Sequence, residues 1–136
     1  MSDDPDAAPA EEPLVELEPP FVDARGSILP LVDREMRSAV LISSKKGSLR
    51  ANHYHATDWH YCFVLEGCIE YFYRPHGSTA EPERVLAPAG TMVFTPPQME
   101  HAMRFPEDTR FVTLGRNRRD QASYEADIVR VQLVEP

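Results

Sequence analysis

Cysteine is scarce, with Cys62 and Cys68 alone in 136 residues, and no Cys-x-x-Cys pair exists. A disulfide framework or a cysteine zinc knot is therefore excluded. No apolar run approaches the ~20 residues that span a bilayer. The start of the chain is acidic and has no apolar core of a secretory signal. A soluble cytoplasmic protein, with no membrane partner, is the expectation. An excess of basic charge is also missing: 14 Lys and Arg stand against 22 Asp and Glu, a formal net charge of −8. Residues 1–20 hold seven acids and no base, so the other 116 residues sum to −1. Nothing here supplies the basic footprint that nucleic-acid binding needs. No stretch shows a 3.6-residue period, and there is no internal repeat.

Short β-rich runs punctuated by turn residues are what the chain does contain. Residues 1–20 are rich in proline, alanine and acid. They bury too little apolar surface to offset chain entropy, and read as a disordered or loosely draped tail. Within it, Leu14–Leu17 could add an edge strand. Residues 21–136 then form a single domain. Strands are expected over 37–42, 49–55, 60–65, 68–73, 84–86, 91–95, 101–105, 109–114 and 124–134. Turn signals recur about every eight to twelve residues, which is the signature of an all-β sandwich or barrel. The Glu66-Gly67 step reads as a two-residue hairpin turn. That pairing sets Tyr71 opposite Cys62 and Tyr73 opposite His60, and leaves the two cysteines too far apart to bridge.

Histidine carries the chemistry. His53 and His55 lie two apart on one strand, so their imidazoles share a face. His60 opens the next strand, and His101 follows Pro96-Pro97 much further on. Imidazole is the commonest protein ligand for divalent transition metals, and a site needs three or four donors on one point. By the same alternation Asn52 and Tyr54 face away from the pair, and so does Arg50 unless a bulge intervenes. His76 lies in a polar loop and reads as a solvent residue. Glu100 points away from its neighbour His101. Tyr71, Tyr73, Phe94, Gln98, Met103, Arg110 and Phe111 are candidates to line a pocket beside the metal.

Two spaced patterns resemble those of a known superfamily. Gly47-x5-His53-x-His55-x4-His60-x6-Gly67 resembles the first signature of the cupins, and Gly90-x5-Pro96-x-Gln98-x2-His101 resembles the second. The resemblance implies a double-stranded β-helix, the jelly-roll cupin barrel. It also implies one divalent metal ion (Mn, Fe, Ni, Cu or Zn) held by His53, His55, His60 and His101. The chain departs from the pattern in three places. His60 stands where the superfamily usually has Glu, Gln98 where it has Gly, and Phe105 where it has Asn.

A narrower resemblance runs over roughly 21–134. It is carried by Asp23-Ala-Arg-Gly26, Ile42-Ser-Ser-Lys-Lys-Gly47, Arg50-Ala-Asn-His-Tyr-His55, Phe94-Thr-Pro-Pro97, His101-Ala-Met103 and Tyr124-Glu-Ala-Asp-Ile-Val-Arg130. These runs resemble small bacterial cupins related to sugar-nucleotide epimerases and ketoisomerases. The epimerases of that group work without metal, with a His–Asp base and a Tyr acid. The function expected is metal-assisted isomerase or epimerase chemistry on a small oxygenated substrate, sugar- or keto-acid-like. Dioxygenase chemistry and non-catalytic binding of a metal or small ligand are the alternatives. Arg50 and Arg110 are candidates to meet a phosphate. A homodimer is expected, with Tyr124–Val134 or Leu14–Leu17 covering a sheet edge across the two-fold axis.

Overall fold

A computed structural model describes residues 6–136; the first five residues of the acidic tail lie outside the described residues. Eleven strands and one helix are present among the described residues: β1 Phe21–Asp23, β2 Gly26–Ile28, β3 Ser38–Ser44, β4 Leu49–His55, β5 His60–Glu66, β6 Cys68–Pro75, β7 Glu83–Pro88, β8 Met92–Thr95, β9 Met99–Arg104, β10 Thr109–Gly115, α1 Gln121–Asp127 and β11 Ile128–Arg130. β3, β10, β5 and β8 form a four-stranded sheet in that order. β11, β4, β9, β6 and β7 form a five-stranded sheet, and β1 and β2 pair as a separate hairpin. All pairings are antiparallel. The two larger sheets face each other as a jelly roll of the cupin type.

Alternation along the strands decides what lies between the sheets. On β10, Thr109, Phe111, Thr113 and Gly115 are buried while the residues between them are more exposed. The inner residues Cys62, Val64, Ile69, Tyr71, Val93, Met103, Phe105 and Phe111 form one core. It fills one end of the sandwich, and the histidines occupy the other. A second apolar cluster, Trp59, Tyr61, Met92 and Phe94, lies on the outer face of the four-stranded sheet.

That outer cluster explains the course of the acidic segment. From Asp6 onward the segment has a defined path over this cluster. Phe94 donates its N–H to the Pro13 carbonyl at 2.9 Å, and Val15 donates to Met92 at 2.9 Å. Leu14 thereby adds a bridge to β8 of its own chain, and Val15 and Leu17 pack on the outer cluster. The Trp59 indole donates to the Asp6 carbonyl at 2.9 Å. The fully buried guanidinium of Arg116 bonds the Asp6 carboxylate. Without the segment, four large apolar side chains and a buried cation would face solvent.

Two local expectations are corrected. Glu66-Gly67 is not a hairpin turn, because β5 already has β10 on one side and β8 on the other. The chain instead crosses from one sheet to the other there. Gly67 sits at φ +87°, and a Cβ on it would come within 2.4 Å of the Asp108 carbonyl oxygen. Only glycine takes that conformation at that distance. Tyr73 therefore pairs with His101 and Glu83, not with His60. Tyr71 and Cys62 meet across the sandwich in the core, and both cysteines are free.

The second correction concerns 124–134, expected as one strand. Asp120 accepts a hydrogen bond from the Ser123 N–H at 3.1 Å and caps α1. The sequence Gln121–Asp127 then forms two helical turns before a short β11. No helix among the described residues is long and apolar enough to cross a membrane.

Candidate metal centre

β4 delivers two histidines because of a bulge. Ala51 and Asn52 have φ of +69° and +55°, and the register with β9 shifts between Ala51 and His53. Asparagine tolerates this left-handed region through local hydrogen bonds. Asn52 makes three, binding the Val134 carbonyl and the Leu133 and Val134 N–H groups. The extra residue puts Arg50 and His53 on the same cavity wall. The Arg50 guanidinium is steered by Ser44 Oγ at 2.7 Å and the Ser43 carbonyl at 3.0 Å.

The four histidines converge. Ring centroids lie 4.9 Å apart for His53 and His55, 4.8 Å for His53 and His101, 5.1 Å for His55 and His60, and 5.7 Å for His60 and His101. The ligating atoms of His53, His55 and His101 all lie within 4.8 Å of one another. Those of His55, Asp58 and His60 form a second such set. All four imidazoles are buried, at the wall of a cavity of about 140 Å³.

Their protonation follows from burial. Desolvation, with repulsion from His101 and His55, pulls His53 down to about 2. Burial takes His101 to about 3 and His60 well below its ordinary value. At neutral pH these rings are uncharged and keep a lone pair. Two tautomers are fixed by partners that only accept. His55 Nδ1 lies 3.0 Å from Asp127 Oδ2, and His101 Nδ1 lies 2.9 Å from the Met99 carbonyl. Each Nδ1 donates, which leaves Nε2 as the lone-pair nitrogen. Burial pushes the Asp127 carboxyl up, but hydrogen bonds from Thr57 and His55 outweigh it and hold the group below its usual value. Buried, neutral, pre-oriented imidazoles fit a divalent transition metal on donor type, protonation and support.

The other expected lining residues divide. Met103 and Phe111 line the cavity. Tyr71 lies behind His101, ring centroids 6.1 Å apart, with its hydroxyl 2.8 Å from Thr95 Oγ1. Tyr73 stacks on Tyr71 at 5.4 Å, half-buried against the edge of the core. Phe94 belongs to the outer cluster, because β8 turns Val93 and Thr95 inward instead. Gln98 sits in a turn at φ +62° and ties down the end of β4, its N–H donating to the His55 carbonyl at 2.8 Å. Arg110 faces solvent beside Glu66 at 3.4 Å. Glu100 points away from the cavity, where Arg74 and His76 hold it at 2.8 and 2.9 Å.

Three cavity groups, Asp58, Arg119 and Tyr124, and the residue that supports His55 from behind, Asp127, escape a reading by periodicity. Asp58 and Arg119 are in connections, where alternation says nothing. Tyr124 and Asp127 are on a helix that looked like a strand. Tyr124 lines the cavity, with the Arg119 guanidinium 4.4 Å from its ring centroid. Residues Tyr124 and Asp127 both fall inside a run that resembles the ketoisomerase-related cupins, which was the one available signal.

No family profile matches the sequence, and no curated protein matches it. Solved structures do. The chain is similar to the 3,4-ketoisomerase QdtA from Thermoanaerobacterium thermosaccharolyticum, a double mutant in complex with TDP (TM-score 0.70, 18% identity, 86% of this chain and 85% of that one). It is similar to a 3,4-ketoisomerase from Helicobacter canadensis (0.68, 17%, 82% and 85%). A third is the dTDP-4-dehydrorhamnose 3,5-epimerase from Sulfolobus tokodaii (0.65, 18%, 82% and 80%). At these identities the likeness establishes the fold.

Proposed function

We propose that the chain is a metal-dependent isomerase or epimerase acting on a small, sugar-like carbonyl compound. One observation carries the metal: four buried imidazoles meet in one cavity, three of them held neutral, with two supported from behind by Asp127 and Met99. His53, His55, His60 and His101 would hold the ion. When bound, it supplies Lewis-acid stabilisation of negative charge on a substrate oxygen. The chain's own groups do the rest. Asp127 fixes His55, Met103 and Phe111 exclude water from one wall, and Arg50 and Arg119 offer cationic donors to an oxyanion. The substrate class follows from the sugar-nucleotide isomerases and epimerases that share the fold.

A second reading has its own observation. The His55–Asp127 contact at 3.0 Å, with Tyr124 on the same cavity, is an arrangement for metal-free proton transfer. His55 Nε2 would take a proton from the carbon next to a carbonyl, and the C–H electrons would pass into an enolate. Tyr124 would return a proton to the opposite face of that carbon. The two readings exclude each other at His55, whose Nε2 serves either as ligand or as base.

Elemental analysis of untagged protein separates them. The first reading expects about one transition metal per chain, and loss of it in His53→Ala. Absence of metal, together with solvent deuterium entering a keto-sugar nucleotide by way of metal-free protein, would replace the first reading with the second.

A further inference from the structure

The superfamily pattern usually places a carboxylate at the third ligand position, where this chain has His60. The cavity nevertheless contains one. Among the described residues that line it, Asp58 is the only acid, facing two cations, Arg50 and Arg119. Its ligating oxygen belongs to the set with His55 and His60 in which all ligand atoms lie within 4.8 Å. We infer that Asp58 is a direct metal ligand, so the anionic donor of this site comes from the β4–β5 connection and not from β5. The inference rests on the metal reading above.

Two features support it. The carboxylate is aimed and not free to swing. Asn117 donates its N–H to Asp58 Oδ1 at 2.8 Å, and a carboxylate with its ~four lone-pair sites keeps room for a cation. The connection is also pinned to the helix that supports His55. Thr57 donates backbone N–H and side-chain hydroxyl to Asp127 Oδ1 at 2.8 and 2.7 Å. One residue, Asp127, thus sets both His55 and the segment carrying Asp58.

The charge argument points the same way. Four neutral imidazoles leave a dication's full charge inside a buried cavity that already faces two guanidiniums. Burying uncompensated charge is costly, and one carboxylate halves it. An oxygen donor also moves the preference of the site toward Mn(II) and Fe(II) and away from the purely nitrogen-loving ions.

The test uses untagged, metal-free protein titrated with Co(II) and Mn(II). Wild type, Asp58→Asn, Asp58→Ala and His53→Ala are compared. Far-UV circular dichroism of the metal-free proteins checks folding. Wild type should bind about one Co(II). Asp58→Asn and Asp58→Ala should keep that stoichiometry, bind about 10–100-fold more weakly, and shift the visible Co(II) ligand-field bands. The loss should be larger for Mn(II) than for Co(II). A measurement on wild type alone covers the case in which the variants do not fold: Zn(II) should shift a carboxylate stretch in the infrared difference spectrum. Asp58 variants with wild-type affinity and unchanged bands, or no carboxylate shift, would overturn the inference and leave the histidine site standing. Wild type that binds no metal would overturn both.

Discussion

Acidifying the metal-free protein from pH 7 to pH 5 charges the histidines of the unfolded chain but not His53, His60 or His101 of the folded cavity. In the unfolded chain imidazoles titrate near 6.5. In the folded chain burial holds His53 at about 2 and His101 at about 3. Folded values lie below unfolded ones, so between them the unfolded state binds protons that the native state refuses. Stability is present above pH 6.5 and is lost as pH falls toward the folded values. Each such histidine costs about 1.4 kcal/mol per pH unit once its unfolded form is fully charged. From pH 7 to 5 that integrates to about 2 kcal/mol per residue, or about 4 kcal/mol for His53 and His101 together. His60 shifts in the same direction. A loss of this size consumes much of the 5–15 kcal/mol typical of a native domain. The assay is urea unfolding with chelator at pH 7, 6 and 5, followed by fluorescence of Trp59, the only tryptophan and 1% exposed. The native-minus-unfolded slope should flatten in a His53→Leu/His101→Leu double variant. Stability that is level between pH 7 and 5 in wild type would refute the claim that these imidazoles are buried and neutral.

Other outcomes follow from single contacts. Gly67→Ala should lose at least about 2 kcal/mol in the same unfolding assay, since a left-handed backbone costs an L-residue ~1–2 kcal/mol before the contact with the Asp108 carbonyl is added. Asp127→Asn should weaken Co(II) binding about 10–100-fold by releasing His55, and wild-type affinity in that variant would show that Asp127 does not position the ring. Deleting residues 1–17 should lower the melting temperature, because it uncovers Trp59, Tyr61, Met92 and Phe94 and leaves Arg116 without Asp6; an unchanged melting temperature would mean the segment contributes nothing. Light scattering should return twice the 15.4 kDa chain mass, with Phe21, Val22 and Ile28, all more than 60% exposed, as the surface whose change to Ser should yield monomer.

Strand positions were legible wherever alternation was clean. β4 lies at 49–55 as expected, and β10 differs from its expected range by one residue at its end. Pairing was less so. Glu66-Gly67 has the composition of a hairpin turn, and nothing local says that β5 has a neighbour on both edges. That fact belongs to β8 and β10, tens of residues away. The four histidines could be read because a two-residue period and a known spacing both select them. Asp58 could not, because it lies in a connection where no period applies. Asp127 was hidden by distance, 72 residues from His55, and by the strand-like alternation of Val129, Val131 and Leu133 with Arg130 and Gln132, which drew the preceding helix into a strand. Arg50 reaches the cavity through the bulge that the alternation left open as its exception, and the positive φ at Ala51 has no signature in the residue type.

The clasp between Asp6 and Arg116 also has a clock in it. The two residues are 110 apart in the chain, so during synthesis the first waits for the second. At roughly 5–20 residues per second that wait is on the order of ten seconds. Throughout it, Trp59, Tyr61 and then Met92 and Phe94 emerge with their cover already made but unable to lock. The acidic segment is therefore made before the residues it covers and is fixed only once Arg116 has followed.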